Sequence, residues 1–503
     1  MKWYQLNKKY AINYLFLLLL SFLYVFPVIL TNVFFQDDLG WSLYGGVGFK
    51  GDGRPLSEYL ALALCNGEPA VDTAPLPLIL GVILLSYTLT LYAQNDLGFI
   101  SNRCALLAIM LFIITNPFLM ECLFYRYGSM GVLASLSLPF VIFSIPDTTS
   151  KTKMLIYSAL LSVALMSLQQ IAIGMCLILF MSHIFSLLFQ EKKICYAQEC
   201  LRIAGIGIGA IIYKMVVAPY YVSRSDWRHT ASQTLGLSPK SIIAIFQNIF
   251  ATCQYIFRFL SEAAPWYQIA LLLFAIFTIV LCTVLYFLKS IKKGWRKVFD
   301  IFFLIFSPVC VFIFSFLPLM ILKEQTLKLR IFMVLGGTLF YLGILLFYFT
   351  KKHPAYIRPL LLLLIACNFY HYTYIYSFGS VISSQNEYTE YLVYQVAHDL
   401  ETINANGEFT RLSFIGVAPR SKRTQIYADK YPMTGDLIPR YFKNDSWRGG
   451  AYVLHYLQDD LNVEKDTDAD REIVASAEPV MANSIYSCYV NDDKIIIAFH
   501  DSE

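Results

Sequence analysis

The chain has 503 residues, of which 57% are hydrophobic and only 15% are charged. A soluble domain carries about 25% charged residues, so these values exclude a single water-soluble globule, and an aromatic content of 16% excludes a disordered chain. The net charge of +4 combines 28 basic and 15 acidic residues in 1–377 with 11 basic and 20 acidic residues in 378–503. We therefore predict a basic membrane domain, 1–377, followed by an acidic soluble domain, 378–503.

The first apolar run follows MKWYQLNKKY and spans about 11–31. It is about 20 residues long and has no small-residue cleavage site, so we interpret it as a retained transmembrane helix and not as a signal peptide. Further runs have transmembrane length, and the run at 154–189 must fold as two short helices. With the run at 11–31, the predicted total is about eleven transmembrane helices. The ten after the first are 76–94, 104–119, 130–146, 154–169, 171–189, 201–219, 266–288, 298–320, 330–350 and 356–377.

The distribution of basic residues predicts the orientation of these helices. With a cytoplasmic N-terminus, the strongly basic short loops all fall on the cytoplasmic side, as the positive-inside rule requires. The loop at 32–75, the loop at 220–265 and the C-terminal domain then lie outside the cytoplasm. We expect a multi-pass protein of mainly α class with a small extracytoplasmic α/β domain at its C-terminus.

The first external loop carries an acidic pair directly after the first helix. Asp37 and Asp38 are expected at the membrane surface, where adjacent carboxylates are costly unless something uses or compensates them. One hypothesis is that one of them is a general base that takes the proton from an attacking hydroxyl. The other would then orient that hydroxyl or hold substrate hydroxyls. The alternative is a solvated acidic pair that ends the helix.

The same loop supplies groups suited to a sugar phosphate. The ring of Trp41 is of the kind that covers the apolar face of a sugar, while carboxylates such as Glu58 accept hydrogen bonds from its hydroxyls. Arg54, in the sequence Gly-Arg-Pro, is expected either to bind a phosphate with two hydrogen bonds or to pair with Asp37 or Asp38.

Further polar groups are predicted on the same side of the membrane. Asp72 precedes the second helix, either as its N-cap or as a substrate contact. Arg126 lies at the outer end of the third helix, and Gln170 at the external turn between the fifth and sixth. Lys323 and Arg330 belong to a basic link that suits a lipid-linked phosphate or, alternatively, lipid headgroups.

The C-terminal domain has the pattern of a small α/β fold. Residues 386–404 predict an amphipathic helix, 411–416 a strand and 447–461 another helix. The segments 484–490 and 494–500 flank Asn-Asp-Asp and predict a β-hairpin.

Several other signals have simple structural interpretations. The cysteines are dispersed without zinc spacing, and Cys65, Cys253 and Cys488 are the ones in predicted non-cytoplasmic segments, where a disulfide is chemically permitted. The sequence Gly-Ile-Gly-Ile-Gly at 205–209 lies within an apolar helix, which favours close helix packing over a nucleotide loop. We predict no metal site, no cofactor and no nucleic-acid partner.

Four motifs in order carry a family resemblance. D-D-x-G with a downstream G-R-P, then D-x-A-P-L-P, F-Y-R-Y and L-Q-Q-I-A, over roughly residues 30–180, resemble the bacterial serotype-converting O-antigen glucosyltransferase family. Asp37 and Asp38 match its acidic pair, and the matching downstream residues are Arg54, Asp72 and Arg126. The chain departs from the family pattern at Trp41, where the family has arginine, and at Gly128, where it usually has aspartate.

The resemblance implies a GT-C-type enzyme of the bacterial inner membrane. Such enzymes move glucose from undecaprenyl phosphate to lipid-linked O-antigen on the periplasmic face, by inverting, metal-independent chemistry with an aspartate base. A separate glycosyltransferase that loads the donor and a flippase that presents it are the implied pathway partners. Phosphate is the leaving group, and Arg54, Arg126, Lys323 or Arg330 would stabilise its developing charge.

Two alternatives stay open on the sequence alone. One is a GT-C transferase for another sugar or acceptor, such as lipid A. The other belongs to a different class, a lipid-linked glycan transporter or flippase, although the sequence has no internal duplication and no matching pair of broken helices.

Overall fold

The computed structural model describes residues 4–190, 195–222, 233–236, 238–263, 265–266, 268–270, 273, 277, 306–352, 354–443, 447–456 and 461–500. These residues form two compact units. We call the first the helical unit; it comprises Met1–Ile29, Val47–Gly67 and Thr73–Tyr376. We call the second the sheet unit; it comprises Leu30–Gly46, Glu68–Asp72 and Ser377–Glu503.

Helices make up most of the chain before residue 404. In chain order they are α1 Lys8–Thr31, α2 Asp38–Tyr44, α3 Pro55–Leu64, α4 Leu76–Asp96, α5 Arg103–Ile114, α6 Met120–Phe124, α7 Ser129–Ser144, α8 Lys151–Leu168, α9 Ile173–Phe189, α10 Tyr196–Ile212, α11 Ala218–Tyr221, α12 Pro239–Ala263, α13 Leu317–Met320, α14 Leu335–Lys352 and α15 Ile357–Ile403. Short 3-10 turns join α5 to α6 and α8 to α9, and a single π-helical turn joins α10 to α11.

Among the described residues, nine helical segments are long and apolar enough to cross a membrane. They are Lys8–Thr31, Leu76–Asp96, Arg103–Phe124, Lys151–Leu168, Gln170–Leu187, Tyr196–Tyr221, Pro239–Ala263, Leu329–Tyr348 and Ile357–Ile403. The run at 154–189 does fold as two helices, and the predicted span at 130–146 is the shorter apolar helix α7. The predicted spans at 266–288 and 298–320 lie largely outside the described residues.

The segment 220–265 was wrongly predicted to be a loop throughout, because it contains the 25-residue helix α12. This helix is amphipathic, with an exposed apolar face that includes Ile242, Phe246 and Phe250. Polar residues interrupt its apolar ones at helical spacing, so no continuous apolar run marks it in the sequence.

Close packing of α10 against α8 explains the glycines at 205–209. A Cβ atom at Gly205 would lie 2.6 Å from the Leu155 carbonyl oxygen, and one at Gly209 would lie 2.4 Å from that of Ala159. Gly207, on the opposite face, has no atom within 4 Å of such a Cβ. The interpretation as a helix-packing motif is therefore confirmed.

The sheet unit contains a five-stranded mixed sheet in the order β2-β1-β5-β4-β3. The strands are β1 Arg411–Ile415, β2 Asn462–Val463, β3 Met481–Ala482, β4 Tyr486–Asn491 and β5 Lys494–Phe499. β1 is parallel to β2 and β5, whereas β4 is antiparallel to β5 and β3. The predicted hairpin and the strand at 411 are confirmed.

The helices of this unit differ partly from expectation. They are α16 Lys422–Lys430, α17 Pro432–Gly435, α18 Trp447–Tyr456 and α19 Asp468–Ser476. The helix predicted at 386–404 is the last part of α15, which continues without a break from Ile357. The predicted helix at 447–461 is described as far as Tyr456.

The loop predicted to be the first external one, 32–75, is divided between the two units. The sequence-based division placed all of 32–75 with the membrane domain, but residues 30–46 and 68–72 belong to the sheet unit. Leu39 of α2 is 3% exposed and packs in the same apolar core as Val453 of α18 and Phe414 of β1. Its burial provides part of the free energy that holds this segment in the sheet unit.

Candidate functional site

The two aspartates of the acidic pair occupy different environments in the sheet unit. Asp38 is the first residue of α2 and is fully buried, and its Oδ2 accepts a hydrogen bond from the Phe35 amide at 3.2 Å. Asp37 precedes the helix, is partly exposed, and its carbonyl accepts the Trp41 amide at 3.0 Å. Of the pair, Asp37 is therefore the carboxylate that solvent or a substrate can reach.

Two hydrogen bonds attach the backbone before this pair to the C-terminal part of the sheet unit. The Tyr441 hydroxyl donates to the Phe34 carbonyl at 2.6 Å, and the Gln36 side-chain amide donates to the Leu437 carbonyl at 3.1 Å. Burial, then the neighbouring Tyr452, and also the charge of Asp38 raise the pKa of Tyr441 well above its ordinary value. The phenol therefore remains a hydrogen-bond donor at neutral pH.

The other predicted site residues of the sheet unit are Trp41 and Asp72. Trp41 lies on α2 and is partly exposed, as a sugar-stacking ring must be. The interpretation of Asp72 as the N-cap of α4 is wrong, because Pro75 occupies the cap position. Both residues belong to segments that a hydrogen bond joins, from the Ala70 amide to the Gly45 carbonyl at 2.8 Å.

In the helical unit, Arg54 has a carboxylate partner from its own turn. Its guanidinium forms an ion pair with Asp52, lies 3.4 Å from Gln169 Oε1, and stacks 5.2 Å from the centre of the Phe49 ring. Asp52 therefore takes the place of Asp37 and Asp38, the partners predicted for Arg54 from the sequence.

Gln170 and Tyr213 hold the turn that carries Arg54. The Gln170 side-chain amide donates to the carbonyls of Asp52 and Gly53, both at 3.1 Å, and the Tyr213 hydroxyl donates to the Gly53 carbonyl at 2.6 Å. Gly53 has a φ of +72°, and a Cβ there would lie 2.7 Å from the Tyr213 oxygen. Glycine is required by both the backbone angle and the available space.

Glu58 closes the same turn from the first residues of α3. One of its carboxylate oxygens accepts the Lys50 amide at 2.7 Å, and the other pairs with the Lys50 ammonium at 3.1 Å. Together with Gln170, this carboxylate fixes the shape of the turn around Arg54.

Arg330 forms the second charged centre of the helical unit. Its guanidinium pairs with Glu121 at 3.1 Å and donates to the Tyr125 hydroxyl at 2.6 Å, and its amide donates to Glu121 at 3.2 Å. Glu121 is only 4% exposed, so this ion pair has more electrostatic weight than a surface pair. Arg126, beside Tyr125, is half-buried.

Gly128 lies close to an aromatic residue of each charged centre. A Cβ at Gly128 would lie 3.6 Å from the Phe49 ring and 3.5 Å from Tyr125 Cβ, and these rings carry the guanidiniums of Arg54 and Arg330 respectively. Lys323 is separate from these contacts: it is exposed, and its ammonium pairs with the Gln233 side chain at 2.8 Å. The basic link therefore has one residue engaged with a buried acid and one facing solvent.

A buried charged network was missed in the sequence. His183 Nδ1 lies 3.0 Å from Asp96, and its Nε2 lies 3.4 Å from Glu199. Arg202 binds both oxygens of Glu199 at 2.8 and 2.7 Å and pairs with Asp147 at 3.1 Å. The available signal was the presence of ionisable residues within apolar helices, which is costly unless they pair.

This network also contains the one group of residues, within the described part of the chain, whose ligand atoms are close enough to hold a metal. The oxygens of Asp147 and Glu199 and a nitrogen of His183 lie within 4.8 Å of one another. The guanidinium of Arg202 already occupies both oxygens of Glu199. The network is thus satisfied mainly by its own cations. The described cysteines, including Cys65, Cys253 and Cys488, are free thiols.

Helices of membrane length, with carboxylates, arginines and aromatic rings at their connections, are typical of a membrane protein with a polar candidate site. Comparison with known families makes the class specific. The chain belongs to the family of the glucosyl transferase GtrII, whose model matches residues 26–341, and it is therefore a membrane glycosyltransferase.

One relative covers nearly the whole chain. It is an uncharacterized 55.3 kDa protein in the gtrB 5′ region of Salmonella phage P22, 25% identical over 489 residues, which are 96% of this chain and 97% of the phage protein. The position of that relative near gtrB agrees with the resemblance to serotype-converting glucosyltransferases. No solved structure matches the chain.

Proposed function

We propose that the protein transfers glucose from undecaprenyl phosphate to lipid-linked O-antigen, or to a related surface glycan, on the periplasmic face of the bacterial inner membrane. Membership of the glucosyl transferase family supports the sugar, and the membrane-length helices suit a prenyl-linked donor. The proposed reaction inverts the anomeric centre and needs no metal.

We assign the general base to Asp37. The observation that carries this assignment is the difference in burial within the acidic pair: Asp38 is fully buried and holds a backbone amide, whereas Asp37 is partly exposed. The Asp37 carboxylate takes the proton of the acceptor hydroxyl while the oxygen of that hydroxyl bonds to C1 of glucose. The bond from C1 to the phosphate oxygen breaks, and its electron pair leaves with the phosphate.

The remaining predicted residues are assigned to substrate contacts. In the sheet unit, Trp41 is proposed to cover a sugar face and Asp72 to accept its hydroxyls. In the helical unit, the groups proposed to act on phosphate and sugar are Arg54, Glu58, Arg126, Gln170, Lys323 and Arg330. Of these, Glu58 and Gln170 act through the shape of the turn that presents Arg54.

The test compares Asp37→Asn with Asp38→Asn in the purified protein. Undecaprenyl-phosphate glucose and lipid-linked O-antigen are supplied, and the product is followed by the mass of one added hexose. Loss of a general base lowers the rate by about 10²–10⁴-fold, so we expect this loss in Asp37→Asn with an unchanged melting temperature. Asp429→Asn, an exposed carboxylate of α16, is the matched control.

Two results would count against the assignment. Full transfer by Asp37→Asn would show that Asp37 is not the base. If Asp38→Asn is also folded but inactive, Asp38 would be the base instead. Transfer of a different added mass would keep the class and change the sugar.

A further inference from the structure

Two arginines lie on neighbouring segments of the sheet unit. An antiparallel bridge pairs Val417 with Lys443, and the Ala418 amide donates to the Phe442 carbonyl at 2.8 Å. Arg420 lies three residues after Val417, and Arg440 lies three residues before Lys443, so each arginine is close in sequence to this junction. Each follows a proline, which restricts the backbone that presents it.

Among the described residues, the positive charge of this pair is incompletely balanced. Arg420, whose side chain is 15% exposed, pairs with Asp436 at 3.3 Å, but the Asp436 side chain is 78% exposed. The buried Nε of Arg420 has no hydrogen-bond partner among the residues that the structure describes. Arg440 is half-buried and makes neither a hydrogen bond nor an ion pair with any described residue.

This arrangement carries an energetic cost. Like charges that lie close together repel each other, and burial of a guanidinium without a partner adds to the cost. Burial, and then the charge of Arg420, lower the pKa of Arg440, while Asp436 opposes them only in part. An anion between the two guanidiniums would remove the repulsion, and two arginine forks match the oxygens of a phosphate.

The arginine pair lies on the segment that holds the acidic pair. Leu437 and Tyr441, which flank Arg440 in the chain, make the hydrogen bonds to Gln36 and Phe34. Arg440 is therefore part of the short stretch of the sheet unit that contacts the backbone immediately before Asp37.

We propose that Arg420 and Arg440 form a phosphate-binding site for the sugar-phosphate end of the lipid-linked donor. The inference rests on the proposed function for the identity of the donor, whereas the anion site itself rests on the geometry of the two arginines. A phosphate held here gains the negative charge that develops when the bond to the sugar breaks.

The test measures binding, which does not depend on turnover. Full-length protein in detergent is titrated with farnesyl phosphate, farnesol, inorganic phosphate and phosphatidylglycerol, for the wild type, Arg420→Gln, Arg440→Gln and the double variant. Arg423→Gln is the matched control, because Arg423 is an exposed arginine that donates to Ser380 at 2.7 Å.

We expect Arg420→Gln and Arg440→Gln each to lower the affinity for farnesyl phosphate at least tenfold, and Arg423→Gln to leave this affinity unchanged. Farnesol should bind equally to all variants. Because removal of one arginine relieves the repulsion, Arg440→Gln without ligand should melt at the same or a higher temperature than the wild type. A lower melting temperature would instead indicate that Arg440 is structural and would overturn the proposal.

Two further results would overturn it. If both single variants bind farnesyl phosphate as tightly as the wild type, the two arginines do not form the site. If the variants lose affinity for phosphatidylglycerol to the same extent as for farnesyl phosphate, the arginines bind lipid headgroups of the bilayer. A comparison with Asp37→Asn separates the two proposals. If Asp37→Asn loses transfer but binds farnesyl phosphate normally, while Arg440→Gln transfers with an unchanged donor KM, the base is supported and the phosphate site is not.

Discussion

The hydroxyl of Tyr441 donates a 2.6 Å hydrogen bond to the backbone carbonyl of Phe34. This bond joins a residue of the C-terminal part of the chain to the turn that begins three residues before Asp37. The position of the proposed base therefore depends on a tyrosine that is far from it in sequence.

Replacement of Tyr441 by phenylalanine should lower both stability and transfer. The ring still fills its place, but the Phe34 carbonyl loses its donor, which costs about 1–3 kcal/mol for a buried group. Tyr489→Phe is the control, because the Tyr489 hydroxyl makes no hydrogen bond with any residue that the structure describes. Melting temperature and glucose transfer are measured on both, and equal behaviour of the two variants would contradict the role of the Tyr441 hydroxyl.

Gly53→Ala should be more harmful than Gly48→Ala. Both glycines have positive φ, +72° and +63°, so both variants carry a similar backbone penalty of about 1–2 kcal/mol. Only at Gly53 does the new methyl group meet another atom, the Tyr213 oxygen at 2.7 Å, whereas a Cβ at Gly48 has no neighbour within 4 Å. Transfer assays on the two variants isolate the effect of the contact with Tyr213 on the turn that carries Arg54. Equal activity in both variants would contradict this effect.

Arg202→Ala should destabilise the helical unit by about 3–5 kcal/mol, because removal of one partner leaves buried carboxylates uncompensated. Glu199 is 3% exposed and would lose both of its hydrogen bonds from this side chain. Arg258→Ala removes an exposed ion pair with Glu262 and should change little. Thermal unfolding in detergent compares the two, and similar melting temperatures would show that the buried network contributes little.

The sheet unit should lose stability in acid through Asp470. Burial alone would raise the pKa of this carboxyl, but hydrogen bonds from Lys494, at 2.6 Å, and Thr467 hold it below its ordinary value. A carboxyl whose pKa is lower in the folded state stabilises the fold at pH values above its pKa in the unfolded chain, about 3.9. This stabilisation is lost as the pH falls through the pKa of the folded state.

Hydrogen exchange in β4 and β5 of the full chain, corrected for the intrinsic rate, measures this effect. The wild type should lose protection below pH about 4, and Asp470→Asn should be less stable above that pH and less dependent on it. Asp468→Asn, on the same helix with a side chain that is 97% exposed, should resemble the wild type. Equal pH profiles for the wild type and Asp470→Asn would reject the assignment.

Local patterns predicted the parts of the fold that local patterns determine. Uncharged runs marked most of the helices, and alternation around Asn491 marked the β4–β5 hairpin. Helix α12 was not predicted, because polar residues interrupt its apolar run. The continuity of α15 was not predicted either, because the change from apolar to polar residues at 377 resembled a domain boundary. Periodicity describes one element and does not show whether two elements are joined.

The chemistry of the site was less predictable than the fold. Asp37 and Asp38 are adjacent and chemically identical, and only the packing of α2 in the sheet unit makes one buried and the other accessible. The partners of Arg202 come from positions up to 57 residues away. The segments that carry Arg420 and Arg440 are joined by a single bridge between Val417 and Lys443, which no propensity encodes.

The contact between Phe34 and Tyr441 also sets an order of events during synthesis. Phe34 and Tyr441 are 407 residues apart, and a ribosome adds about 5–20 residues per second, so roughly 20–80 seconds separate their appearance. Throughout this interval the acidic segment lacks the core in which Leu39 is buried. The proposed base therefore reaches its final environment only after Tyr441 has been synthesised, and a shorter nascent chain has no assembled sheet unit around it.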